Sequence, residues 1–315
     1  MLAGGIAAGI YSSNLPEACQ YISEHSEAKV VVCEGLTQLE KFYEISADLP
    51  NLKALVMYGP EDLPEDVRSK VSVPVYKFED FLKLGAEVED TELKARSDGL
   101  QPGETSALIY TSGTTGPPKA VMITNDNITW TTNEMVKTLP RVYNNNDHII
   151  SYLPLSHIAA QIVDMHVAMA TGLQIWFAQP DALRGSLGTT LKEVRPTAFL
   201  GVPRVWEKIY DKMQQVAKET TGIKKKISTW AKGKATVHWE NHQFGGSQKS
   251  PMFLGLSRKL LGKVRVALGL DRVSINVICA ASWFAISQET HNLCSILHDS
   301  VTYVTLLPPP LITRF

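Results

Sequence analysis

Short apolar runs alternate with helix-patterned segments over about the first 220 residues, and that order admits few folds. Strand-like runs fall at 29–33, 54–58, 107–111, 148–153, 173–178 and 198–202. Helix-like segments fall at 15–27, 38–46, 78–84, 127–138, 158–170, 187–194 and 205–218. Strands joined through helices pair in parallel, so the order predicts an α/β fold of βαβ units around a largely parallel sheet. Val30, Val31 and Val32 suit a buried strand. Ser13 and Asn14 are placed to cap the helix at 15–27, and Pro16 suits its first turn. No internal repeat and no low-complexity segment interrupts this order.

With 315 residues, 44% of them hydrophobic, the chain can fill one large α/β domain or two smaller ones. Its formal charge of -1 makes no electrostatic case for nucleic acid. One local basic cluster, Lys224, Lys225 and Lys226, reads either as a solvated helix face or as a contact with a membrane surface. Cys19, Cys33, Cys279 and Cys294 form no C-x-x-C pair and no zinc spacing, so no metal site is expected. Reduced thiols place the chain in the cytosol or facing it, at the periphery of the endoplasmic reticulum or another membrane if the basic cluster touches lipid. Residues 1–13 lack the basic start of a signal peptide, and the apolar stretch 273–286 is too short and too polar for a membrane span. From 273 onward the only charged residues are Glu289, Asp299 and Arg314, and Pro308, Pro309 and Pro310 forbid a regular element. Composition therefore divides the chain into a domain at 1–271 and a divergent, poorly ordered tail at 272–315.

The segment with the most chemistry is Tyr110-Thr111-Ser112-Gly113-Thr114-Thr115-Gly116-Pro117-Pro118-Lys119. An apolar strand feeds a loop of hydroxyls and glycines, and a lysine comes next. A polyphosphate needs hydroxyl donors, exposed backbone N–H groups and a cation. Thr111, Ser112, Thr114 and Thr115 supply the first, Gly113 and Gly116 let the backbone approach, and Lys119 supplies the charge. The order G-x-x-G-x-x-K, with Ala120 after the lysine, is not that of G-x-x-x-x-G-K-[ST] proteins.

This segment resembles the phosphate-binding signature of the adenylate-forming (AMP-binding) superfamily of acyl-CoA synthetases, peptide-synthetase adenylation domains and luciferases. Usual members carry Gly where Ala120 stands. Ser151-Tyr152-Leu153-Pro154-Leu155-Ser156-His157-Ile158 is similar to the family's next motif. There the resemblance makes His157 a lining residue of the acyl and nucleotide pocket, whereas the residues alone also allow a packed histidine beside a capping Ser156. Phe199 to Lys208 looks like the stretch bordering the fatty-acid tunnel of long-chain acyl-CoA synthetases. Val202, Val205, Trp206 and Ile209 read there as the buried face of a helix, and Gly201 and Arg204 as candidate pocket residues. Taken with 179–186, these segments are similar to the bubblegum-type long-chain acyl-CoA synthetases.

The resemblance implies the N-terminal, AMP-binding domain of the adenylate-forming fold, incomplete and without the small C-terminal domain. It implies ATP, Mg2+ and coenzyme A, with a long-chain fatty acid activated as acyl-adenylate and passed to coenzyme A. It also implies parts absent after residue 271: an acid that helps hold Mg2+, an acid for the ribose hydroxyls, a hinge and a catalytic lysine. The chain is therefore expected to be impaired or inactive alone. Two alternatives stand beside that reading: a non-catalytic binding or regulatory form or an unstable product, and a ligase for an aryl or amino acid.

Overall fold

A computed structural model describes residues 3–111, 117–139, 141–242 and 249–278. The chain divides into two compact units, residues 1–130 with 154–158, and residues 131–153 with 159–315.

The first unit opens with β1 (Ala7–Ala8), α1 (Pro16–His25) and β2 (Val30–Glu34). It continues through α2 (Gly35–Leu39), α3 (Lys41–Ile45), β3 (Ala54–Tyr58), α4 (Val67–Lys70), β4 (Val75–Lys77), α5 (Phe78–Lys83) and α6 (Asp90–Asp98). A hairpin of β5 (Thr105–Thr111) and β6 (Lys119–Thr124) leads into α7 (Asn125–Thr138). β2, β3 and β4 form one parallel sheet, as the βαβ order predicts. β1 pairs parallel with β5, and β5 pairs antiparallel with β6. Cys19 and the α2–α3 residues Leu39, Phe42 and Ile45 cover Val31, Cys33, Leu55 and Met57 of the parallel sheet.

Three local expectations change here. Strand β2 is buried only at alternate positions, with Val30 and Val32 exposed, because it lies at the edge of its sheet. Leu15 is the N-cap of α1 and makes no side-chain cap bond, so neither Ser13 nor Asn14 caps it; Pro16 does occupy the first turn. The helix expected over 38–46 is two short helices, α2 and α3.

In the second unit β7 (His148–Ser151) is followed by α8 (Ile158–Ala160), a π-helical segment (Gln161–Val167), α9 (Ala168–Thr171) and β8 (Gln174–Phe177). Then come α10 (Leu187–Val194), β9 (Ala198–Gly201), α11 (Pro203–Glu219), α12 (Gly222–His242), α13 (Leu254–Leu268) and β10 (Ile275–Ile278). β7 pairs parallel with β8, and β9 with β10. Thr197 ties β7 to the start of β9, since His148 N donates to Thr197 Oγ1 and Thr197 N to His148 O, each at 2.9 Å. The core gathers Ile150, Leu187, Leu191, Phe199, Val205, Trp206, Leu270 and Val273, with Val202 and Ile209 packed against it. The helix expected over 158–170 carries a π segment in its middle.

Two arginines brace this unit. Arg141 grips the buried carboxylate of Asp147 through both terminal nitrogens, and Arg195 holds Asp271. The tail boundary expected at 271 is corrected by residues 273–278. Leu270 and Val273 are buried, Ser274 N donates to Thr197 O at 2.8 Å, and 275–278 form β10. Low charge there marks a strand beside β9 rather than the start of a loose tail. The rest of the expected tail, with Pro308 to Pro310, lies outside the described residues. Among the described residues no helix is long and apolar enough to cross a membrane.

Candidate functional site

The candidate phosphate-loop segment begins at the end of β5, whose Ala107, Ile109 and Tyr110 are buried. Thr111 ends that strand, Lys119 opens β6, and the two are register partners across the ladder. Both are exposed. The lysine thus has a fixed backbone and a solvent-facing ammonium. Pro117 and Pro118 carry no N–H, so they add nothing to the ladder. Ser112, Gly113, Thr114, Thr115 and Gly116 lie outside the described residues.

Helix α1 pins both ends of this loop. Tyr21 OH donates to Pro118 O at 3.1 Å, one residue before Lys119. Tyr110 OH, one residue before Thr111, lies 2.9 Å from His25 Nδ1 and donates to Ile22 O at 3.4 Å. His25 stacks on Tyr21 and meets Tyr110 edge to face. Burial pushes the Tyr110 hydroxyl above its ordinary pKa, so it stays a neutral hydrogen-bonding group. Sequence reasoning missed Tyr21 and His25. Their four-residue spacing on one face of α1 was the available signal.

His157 belongs to the same unit. Gly9 comes directly after β1, and its N–H donates to Leu108 O of β5 at 3.4 Å. A Cβ on Gly9 would stand 2.8 Å from Ser156 Cα, so only glycine lets 154–158 lie against this strand. His157 N donates to Pro154 O at 3.0 Å, closing a turn just before α8, and the histidine is exposed. The Ser156 hydroxyl is buried without a hydrogen-bond partner, which rules out the capping role expected for it. Thr111, Lys119 and the His157 turn are therefore all carried near the carboxyl ends of β1 and β5, where α/β sheets commonly bind ligands.

Gly201 and Arg204 belong to the second unit. Gly201 ends β9 under the Trp206 indole, which donates to Gly201 O at 3.2 Å. A Cβ there would stand 2.3 Å from Trp206 Nε1, so packing alone accounts for this glycine. Arg204 lies in the first turn of α11 with its side chain 89% exposed, 3.5 Å from Glu207. A pair that exposed contributes little to stability.

A buried polar group that the sequence did not reveal lies in the same unit. Asp164, on the π segment, is 2% exposed. Burial pushes its carboxyl from the ordinary 3.8 up to about 7, against a hydrogen bond from Ser151 that lowers it. Its Oδ1 has no hydrogen-bond partner. Beside it Tyr152 OH donates to Leu200 O at 2.7 Å, and burial raises the phenol strongly.

The described residues offer an exposed cation beside paired strand ends. Among the described residues no group of three or more His, Cys, Asp or Glu side chains is placed to hold a metal ion.

The architecture is that of an adenylation domain. It matches the adenylation domain of a carboxylate reductase from Mycobacterium chelonae with a TM-score of 0.63, over 95% of this chain and 42% of that one, at 18% identity. A second match is the N-terminal domain of FACL13 from Mycobacterium tuberculosis, with a TM-score of 0.53, 15% identity, and coverage of 96% of this chain and 56% of that one. The family model described as AMP-binding enzyme matches residues 1–282, and the chain belongs to that family. Long-chain-fatty-acid–CoA ligase ACSBG2 of Gallus gallus is 43% identical over 297 residues, covering 92% of this chain and 37% of that protein. Long-chain-fatty-acid–CoA ligase ACSBG1 of Homo sapiens is 43% identical over 292 residues, covering 92% and 39%. The chain thus spans somewhat over a third of the length of these curated relatives. The family match runs beyond 271, in agreement with the position of β10.

Proposed function

We propose that this chain is the nucleotide-gripping part of a long-chain fatty acid–CoA ligase. In that reaction the fatty acid carboxylate attacks the α-phosphorus of ATP, pyrophosphate leaves, and coenzyme A then displaces AMP from the acyl-adenylate. The fatty acid and coenzyme A come from what the relatives are named for. One observation carries the nucleotide part: the Thr111–Lys119 pair closes a hydroxyl- and glycine-rich loop at a strand end and leaves its ammonium exposed.

The proposed roles of the chain's own residues follow from the loop's hydroxyls, glycines and lysine. Thr111, Ser112, Thr114 and Thr115 donate hydroxyl hydrogens to phosphate oxygens, and Gly113 and Gly116 bring backbone N–H groups close. Lys119 neutralises charge on the terminal phosphates, which pass to pyrophosphate. Tyr21, His25 and Tyr110 hold the loop's ends, so less ordering entropy is lost on binding. His157 borders the nucleotide. The exposure of Arg204 and the packing of Gly201 support no pocket role for either.

The test is calorimetric titration of the chain with ATP. A charge-assisted hydrogen bond contributes about 1.5–3 kcal/mol, so Lys119→Ala should weaken ATP binding about 10- to 150-fold with an unchanged circular dichroism spectrum. Equal affinity in parent and variant would overturn the assignment. Acyl-AMP formation from palmitate and ATP, read against the same variant, separates a working ligase from a nucleotide-binding form.

A further inference from the structure

The strongest concentration of charge in the molecule lies in the α12–α13 hairpin. Residues 222–268 carry ten Lys and Arg side chains against one acid, a net of +9 in a chain whose total is -1. None of the ion pairs among the described residues involves a lysine of this hairpin.

The two helices run antiparallel. Ser257 Oγ donates to Ala231 O at 2.7 Å, while Ser250 Oγ lies 3.2 Å from His238 Nδ1. Ala231, Ala235 and Leu261 pack between them, with Trp230 and Leu260 at the margin. That register brings the first turns of α12, with Lys224, Lys225 and Lys226, to the same end as Lys263 and Val266. Apolar side chains stand exposed among these cations: Ile223 (76%), Ile227 (44%) and Val266 (57%). Ile223 and Ile227, four apart, share one face of the helix. Beside them an open hollow of about 660 Å³ is lined by Gly222, Lys225, Lys226, Thr229 and Trp230.

The lysines also sit where a helix disfavours them. The first turn of α12 holds no acid, and its N-terminal N–H groups already carry partial positive charge. A bound anion relieves both the lysine repulsion and the dipole. Neighbouring isoleucines then choose the anion's source, because exposed aliphatic side chains between cations suit a bilayer interface and gain nothing from a nucleic acid backbone.

We propose that this end of the α12–α13 hairpin docks the chain on an anionic phospholipid surface, with a headgroup phosphate in the hollow between Lys225, Lys226, Thr229 and Trp230, and Ile223 and Ile227 dipping into the interface. The inference stands apart from the ligase reading, and its test involves no ATP.

The experiment is vesicle co-sedimentation of the full chain with phosphatidylcholine alone and with phosphatidylcholine containing phosphatidylserine. Binding is expected only with phosphatidylserine and should fall as salt rises. The triple variant Lys224→Gln, Lys225→Gln, Lys226→Gln should lose about 100-fold in partitioning, and Ile223→Ser with Ile227→Ser should also weaken it. All five side chains are exposed, so both variants should keep the parent's circular dichroism. Three results would overturn the proposal: no binding to phosphatidylserine vesicles, equal binding to both vesicle types, or tighter binding to a duplex oligonucleotide that the isoleucine variant leaves untouched.

Discussion

Replacing Gly201 with alanine would place a Cβ 2.3 Å from Trp206 Nε1 and 2.5 Å from Cε2. An ordinary carbon contact is about 3.5–4 Å, so the indole must retreat by more than an ångström. It has little room. Trp206 is fully buried and meets Phe199 edge to face at 5.4 Å. Overpacking of this kind costs about 1–3 kcal/mol, and moving the indole also breaks its bond to Gly201 O, a further ~1 kcal/mol. The expected loss is about 2–4 kcal/mol, read as a lower midpoint in urea unfolding followed by circular dichroism. Adding Trp206→Leu should recover part of it, because the smaller side chain leaves room for the new methyl. If Gly201→Ala instead left stability within about 0.5 kcal/mol of the parent, the packing account of this glycine would fail and a pocket role would return.

Two further perturbations test the same geometry. Tyr21→Phe removes only the bond to Pro118 O; a net hydrogen bond of about 0.5–1.5 kcal/mol predicts a roughly 2- to 12-fold loss of ATP affinity by calorimetry with the fold intact, and an unchanged affinity would show that α1 does not position the loop. Asp164 binds its proton more tightly folded than unfolded, since burial raises its carboxyl to about 7. Stability from that group is therefore present below about pH 4 and is lost as pH rises towards 7, on the order of 4 kcal/mol across the window. Asp164→Asn should flatten that slope, and a parent-minus-variant difference in urea midpoint that is equal at pH 4.5 and pH 7.5 would refute it.

The parts of the fold legible in the sequence are those whose burial is written locally. Strands β3, β5, β7 and β9 announce themselves because buried apolar runs of strand length have few other uses, and β8 is legible from its apolar run although Trp176 and Phe177 are exposed. Strand β6 does not, because Lys119 to Thr124 comes directly after the loop and leaves Val121 and Met122 exposed, so no buried run marks it. Helices α12 and α13 are obscured by their lysines, which overwrite the apolar period, and the π segment has no sequence period of its own. Strand β10 is hidden by a fall in charge that looks like a change of composition. The candidate site divides the same way. The candidate phosphate loop is legible because the chemistry proposed for it resides in consecutive residues. The contacts that hold it are not, since Tyr21 reaches Pro118 across 97 residues and His25 reaches Tyr110 across 85. In the proposed function those two contacts hold the loop's ends and so set how much ordering a nucleotide must supply. The motif therefore speaks to what the loop can bind, and α1, which carries no motif, speaks to how tightly.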